Sequence, residues 1–183
     1  AEQFVEKILG AETVVPAFIG ASGNIDPWFR VLPAFNEEPG WIPEPVLLGT
    51  FLGEEVVRVC RAIQATTDVD QIATNLVTLD LPAKPGDGAA GEKKSETTPF
   101  TISVARLGDV AFVGLGGEVL TEIGLAIKAG SPCRHTFVVT HCNGAAGYLA
   151  PKEAHVQEGY EVTSSRFAPQ AADIVIRESI RLL

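Results

Sequence analysis

The fold is decided by Val110-Ala-Phe-Val-Gly-Leu-Gly-Gly-Glu-Val-Leu-Thr-Glu-Ile-Gly-Leu-Ala-Ile-Lys128, then Gly130-Ser-Pro132 and His135-Thr-Phe-Val-Val-Thr140. Val110 to Gly114 is short and wholly apolar, which predicts a buried strand. From Glu118 to Lys128 the residues Val119, Leu120, Ile123 and Ile127 recur at helical spacing and predict a helix. Gly130, Ser131 and Pro132 stop that helix, and His135 to Thr140 reads as the next strand. The stretch is therefore a β-α-β unit.

Working outward, Asn75 to Leu81 and residues 100 to 106 read as two strands that pair across Pro82 to Pro99. That segment is rich in Gly, Pro, Ser, Lys and Glu, and is expected to be an exposed loop inserted within one domain. Residues 53 to 64, with Val56, Val57, Val59, Cys60 and Ile63, predict an amphipathic helix. Residues 31 to 48 hold four prolines with Phe35 and Trp41 as anchors, and are expected to be an ordered irregular connection. Val14 to Gly20 reads as a strand running into the turn formers of Ala21 to Pro27. At the other end, Ala172, Val175, Ile176 and Ile180 share one face of a closing helix over 169 to 183. No internal repeat is visible. The expected class is α/β, a mixed sheet with flanking helices, in one domain over 1 to 183.

Composition narrows the function. The chain has 183 residues, 46% apolar and 20% charged, which fits a globular domain with a real core. Its 14 basic and 23 acidic residues give a net charge of −9, so nucleic acid is not an expected partner. No apolar run approaches the roughly 18 to 20 residues that cross a bilayer. Three cysteines, Cys60, Cys133 and Cys142, form no closed disulfide set and no C-x-x-C pair. Ala1-Glu-Gln-Phe-Val-Glu-Lys7 is no signal peptide. The chain contains no methionine, which suggests a processed chain or a piece of a longer polypeptide.

Three segments could carry chemistry. Gly114-Leu-Gly-Gly-Glu118 is a glycine-rich turn, but its spacing is neither G-x-G-x-x-G nor a P-loop. A carboxylate there suits a helix N-terminus or metal coordination. His141-Cys-Asn-Gly-Ala-Ala-Gly-Tyr148 follows a strand, and strand ends are where α/β sites form. His141 and Cys142, adjacent in an extended segment, would point to opposite faces, and His141 by itself reads as a packed or an exposed histidine. Ser22-Gly-Asn-Ile-Asp-Pro27 is either an Asx-type turn or a carboxylate presented at a strand end. His135 and His155 are isolated, and without an H-x-x-x-H pair this chain cannot build a histidine-rich zinc site alone.

Together these segments resemble the latter part of the catalytic domain of the neutral/alkaline, non-lysosomal ceramidases. Phe18-Ile-Gly-Ala-Ser-Gly-Asn-Ile-Asp-Pro27 is similar to the family's G-[DN]-x-S-P loop. Gly117-Glu118 resembles its P-G-E-F-T-T segment. Asn143 to Tyr148 followed by Gly159-Tyr160-Glu161 resembles its N-x-x-x-x-Y...Y-E segment. The resemblance implies that Glu118 and Tyr148 are zinc ligands and that Tyr160 polarises a scissile amide carbonyl. Both tyrosines of the chain fall on these positions. Asp26 stands where the family has its nucleophilic serine, so the implied role there is a carboxylate that orients water or substrate. The family's two zinc-binding histidines lie in an N-terminal portion without counterpart here. They are expected from the N-terminal part of the same polypeptide or from a separate chain. The family's C-terminal immunoglobulin-like domain has no counterpart either, and the family's setting allows a secreted or periplasmic location. The expected activity is metal-dependent hydrolysis of an amide or related C–N bond. The alternative is a non-catalytic ceramidase-like binding or assembly subunit, and a third is a nucleotide-binding domain built on the Gly114 to Gly117 turn.

Overall fold

The structure, a computed structural model, describes residues 1–10, 12–26, 44–85 and 96–183. They fall into two compact units, Ala1–Ala17 with Asp26–Asp68, and Phe18–Ile25 with Val69–Leu183.

The first unit holds helices α1 (Glu2–Leu9) and α2 (Glu44–Ala62). The helix expected over 53 to 64 therefore begins earlier. Pro45, counted above with an irregular connection, sits in the first turn of α2, where a missing N–H costs no intrahelical bond. Phe35 and Trp41 lie outside the described residues. The segment 14–20 joins no ladder, which corrects the strand expected there. Its N–H groups are taken singly: Val15 donates to Glu6 Oε1 at 3.2 Å and Ala17 to Glu2 Oε1 at 2.8 Å.

The second unit is a sheet with strand order β1-β2-β3-β5, where β1 is Ile72–Pro82, β2 Thr97–Leu107, β3 Val110–Leu115 and β5 His135–Val139. β1, β2 and β3 run antiparallel, whereas β3 and β5 run parallel through helix α3 (Thr121–Gly130), as the β-α-β reading requires. β1 and β2 are both longer than expected, because Pro82 and Thr97 still pair. Of the 82 to 99 loop, residues 86–95 lie outside the described residues. A two-stranded parallel pair, β4 (Glu118–Val119) and β6 (Tyr148–Leu149), adjoins the sheet. Glu118 is thus in a strand, and the helix starts at Thr121 rather than at Glu118. The cause is tertiary: Glu118 N–H donates to Gly147 O and Leu120 N–H to Leu149 O, which holds 118–120 extended.

One face of the sheet builds the core. Ile102 lies opposite Leu115 and Val104 opposite Val113, and all four are buried. Ile123 and Ile127 of α3 and Val175 of α5 (Ala171–Leu182) cover them. Phe100 and Phe167 meet edge to face with centroids 5.7 Å apart. Each fully buried aliphatic side chain here is worth about 1.5–3 kcal/mol relative to exposure. The architecture is a mixed sheet with flanking helices, and no helix among the described residues is long and apolar enough to cross a membrane.

Candidate functional site

Parallel β3 and β5 end side by side, and the chain leaving each runs through a glycine-rich turn, 114–117 after β3 and 141–147 after β5. The two turns are laced together. Ala146 N–H donates to Gly116 O at 2.8 Å, His141 N–H to Gly117 O at 3.1 Å and Cys142 N–H to Leu115 O at 2.9 Å. Two glycines make the approach possible. Gly147 has φ +81°, in the left-handed region that glycine enters without strain, and a Cβ on Gly117 would lie 2.8 Å from Gly147 O. Gly117→Ala is therefore expected to lower stability by about 1–3 kcal/mol. A urea midpoint unchanged from the parent would contradict this.

The lacing sets β4 against β6 in a register that makes Glu118 and Tyr148 direct partners. Tyr148 is half-buried, and the Glu118 carboxylate is near enough to act on its phenol. Tyr160 opens the short helix α4 (Tyr160–Ser164), is 69% exposed, and sets its ring edge-on to Tyr148 with centroids 5.9 Å apart. The structure thus brings together three of the sequence-derived site residues, Glu118, Tyr148 and Tyr160. The fourth, Asp26, is exposed and is grouped with the first unit. The turn just before it is tied to the start of α3, because Asn24 Oδ1 accepts from Thr121 N–H at 2.9 Å and Asn24 Nδ2 donates to Glu122.

Burial pushes the Tyr148 phenol above the ordinary tyrosine value, and the neighbouring Glu118 carboxylate, with the charges of Tyr160 and Glu161, pushes the same way. In metal-free protein Tyr148 should keep its proton to higher pH than an ordinary tyrosine. Glu118→Gln removes a negative neighbour and should move that ionisation down, read by ultraviolet titration with Tyr148→Phe to assign it. An unchanged ionisation in Glu118→Gln would show that the two side chains do not interact.

His141 was not singled out as a site residue from sequence. Its Nε2 lies 4.0 Å from Glu118 Oε2, with the imidazole 47% and the carboxylate 29% exposed. The residue has φ 54°, unusual for a non-glycine. The segment is not extended at this point, yet the neighbours do part: Cys142 Sγ turns to Ser103 Oγ at 3.6 Å, on the opposite sheet face. The overlooked signal was the pair of glycine-rich turns at adjacent strand ends, which brings residue 141 beside residue 117. His135 is exposed at the start of β5, and His155 stands near Lys84.

Cys142 and Ser103 line a cavity of about 700 Å³ on that opposite face, with Phe18, Leu76, Phe112 and Asn143. Phe112 stacks on Phe137 there, centroids 5.1 Å apart.

The class defined so far is an α/β mixed sheet with a carboxylate and two phenols gathered beyond the ends of its parallel strands. Two solved structures share the architecture. The neutral ceramidase from Pseudomonas aeruginosa superposes with TM-score 0.56 at 17% identity, over 80% of this chain and 34% of that one. A ceramidase complexed with C2 superposes with TM-score 0.54 at 14% identity, over 73% of this chain and 33% of that one. The chain has a ceramidase-like fold and spans about a third of the length of these two structures. No protein-family model and no curated protein sequence matches it.

Proposed function

We propose that the protein is a ceramidase-like, metal-dependent hydrolase of an amide or related C–N bond, in which Glu118 and Tyr148 hold zinc. The observation that carries this reading is the register of β4 on β6, which pairs a carboxylate with a phenol at the strand ends and sets Tyr160 against them. The donor set fits a metal: Glu118 offers anionic oxygen, and the Tyr148 oxygen beside it becomes a ligand on losing its proton. Among the described residues no cluster of three His, Cys, Asp or Glu side chains is poised for a metal, so further ligands are required. They are assigned to histidines of the N-terminal part of the polypeptide or of a separate chain.

When bound, zinc supplies a Lewis acid for the carbonyl and lowers the pKa of water. The remaining work belongs to side chains. Tyr160, exposed and held by its contact with Tyr148, donates its hydroxyl proton in a hydrogen bond to the carbonyl oxygen as negative charge develops there. Asp26 accepts a proton from the attacking water or binds the amine of the substrate. Water adds its oxygen to the carbonyl carbon, the C–N bond breaks, and the amine leaves with a proton.

The test is a panel of N-acyl amides given to the natively purified protein with any accompanying chain, before chelation, after it and after zinc is restored. Hydrolysis that disappears and returns is expected, and Asp26→Asn should lower it about 10²- to 10⁴-fold if the carboxylate moves the proton. Full activity in Asp26→Asn would remove that residue from the reaction. Hydrolysis indifferent to chelation would overturn the metal-dependent reading. A protein that hydrolyses none of the panel yet holds a partner chain tightly would be the assembly subunit instead.

A further inference from the structure

We infer that His141 is a ligand of the same ion as Glu118 and Tyr148, taking one of the positions otherwise left to outside histidines, so that this chain contributes a nitrogen donor of its own. The inference rests on the metal-site reading above and adds to it a residue that the ceramidase resemblance does not assign.

The separation of 4.0 Å between His141 Nε2 and Glu118 Oε2 is the starting point. It lies beyond the roughly 2.7–3.2 Å of an N–H···O hydrogen bond, so the two groups are not holding one another directly. Zinc binds imidazole nitrogen at about 2.0–2.1 Å and carboxylate oxygen at about 2.0–2.2 Å, so two donors on one ion are at most about 4.0–4.3 Å apart. The observed gap falls at that limit. A tetrahedral ion would draw the pair to about 3.4 Å, a movement within reach of side chains as exposed as these.

The backbone aims the residue at this gap. Thr140, just before it, is buried and anchored, its N–H donating to Ile19 O and its hydroxyl to Gly20 O. His141 N–H is fixed on Gly117 O, one residue before Glu118. Cys142, just after, is fixed by its N–H on Leu115 O. Both neighbours being pinned, the left-handed φ of His141 directs its imidazole to the Glu118 side while Cys142 faces the other way. With Tyr148 paired to Glu118 by strand register, three donors of different residue types, carboxylate, phenol and imidazole, come from β4, β6 and the turn after β5.

The test uses Co²⁺ as the probe, titrated into the natively purified, metal-stripped protein, followed by visible absorption and by X-ray absorption to count imidazoles. His141→Gln is expected to weaken Co²⁺ binding at least about tenfold, to shift the visible bands and to lower the imidazole count by one. His141→Cys is expected to restore binding with a new thiolate-to-cobalt charge-transfer band, and this variant guards against mistaking a folding defect for lost ligation. His135→Gln, an exposed histidine on β5, is expected to match the parent. Parent-like affinity and an unchanged imidazole count in His141→Gln would overturn the inference while leaving the Glu118 and Tyr148 site standing. A parent protein that takes up no Co²⁺ at all would overturn the metal-site reading itself, and this inference with it.

Discussion

Glu118→Gln is expected to abolish tight metal binding, lowering affinity at least about 100-fold, while the protein stays folded. The magnitude follows from position. Changes to groups that merely support a ligand cost about 10- to 100-fold in metal affinity, and Glu118 is assigned as a ligand. Glutamine keeps the length and shape of the side chain, so β4 and β6 retain their register. What disappears is the negative charge that balances a cation. Because the backbone N–H of Glu118 bonds Gly147 O whatever the side chain, the urea midpoint should move little. Metal titration of the stripped variant, paired with urea denaturation, reads both quantities. Parent-like affinity in a folded variant would remove Glu118 from the ion.

Tyr160→Phe is expected to lower the hydrolytic rate about 10²- to 10³-fold with metal content unchanged, the size seen when one donor to a developing oxyanion is removed. The substitution deletes only a hydroxyl. The ring can still meet Tyr148 edge-on, and a side chain this exposed contributes little to the core. A fall in kcat and kcat/KM together, with the fold intact, is the outcome that fits a group acting on the transition state. A Tyr160→Phe variant that keeps the parent rate would assign the exposed phenol to no step of the reaction.

Much of the fold was legible because its signals are local. The apolar run at 110–114, the helical spacing of Ile123 and Ile127, and the stop at Gly130 to Pro132 each depend on neighbours in sequence, and β3, α3 and β5 follow them. Glu118 was legible as a residue but not in its conformation. Helical periodicity extends back to Val119, and backbone bonds to residues remote in sequence, Gly147, Leu149 and Gly23, hold 118–120 extended. Val14 to Gly20 shows the opposite failure: the composition favours a strand, yet a strand needs a partner, and here single acceptors such as Glu2 and Glu6 take the N–H groups. For the candidate site, the tyrosines stand out in the sequence because they are scarce and fall on a spaced motif. His141 could not, because it has no ligand spacing in sequence. Its relation to Glu118 exists only once two glycine-rich turns have closed on each other. Asp26 remains a reading from sequence order, since its carboxylate belongs to the first unit and the cluster to the second.

The central claim is that Glu118 and Tyr148 form part of a metal site in a hydrolase, and metal analysis tests it most directly. The protein is purified natively, with any chain that accompanies it, and its zinc content is measured beside that of Glu118→Gln. About one zinc per assembly in the parent, and its loss in the variant, is the predicted result. No metal in the parent despite an intact partner chain, and no difference in the variant, would contradict the account and leave a ceramidase-like scaffold without that chemistry.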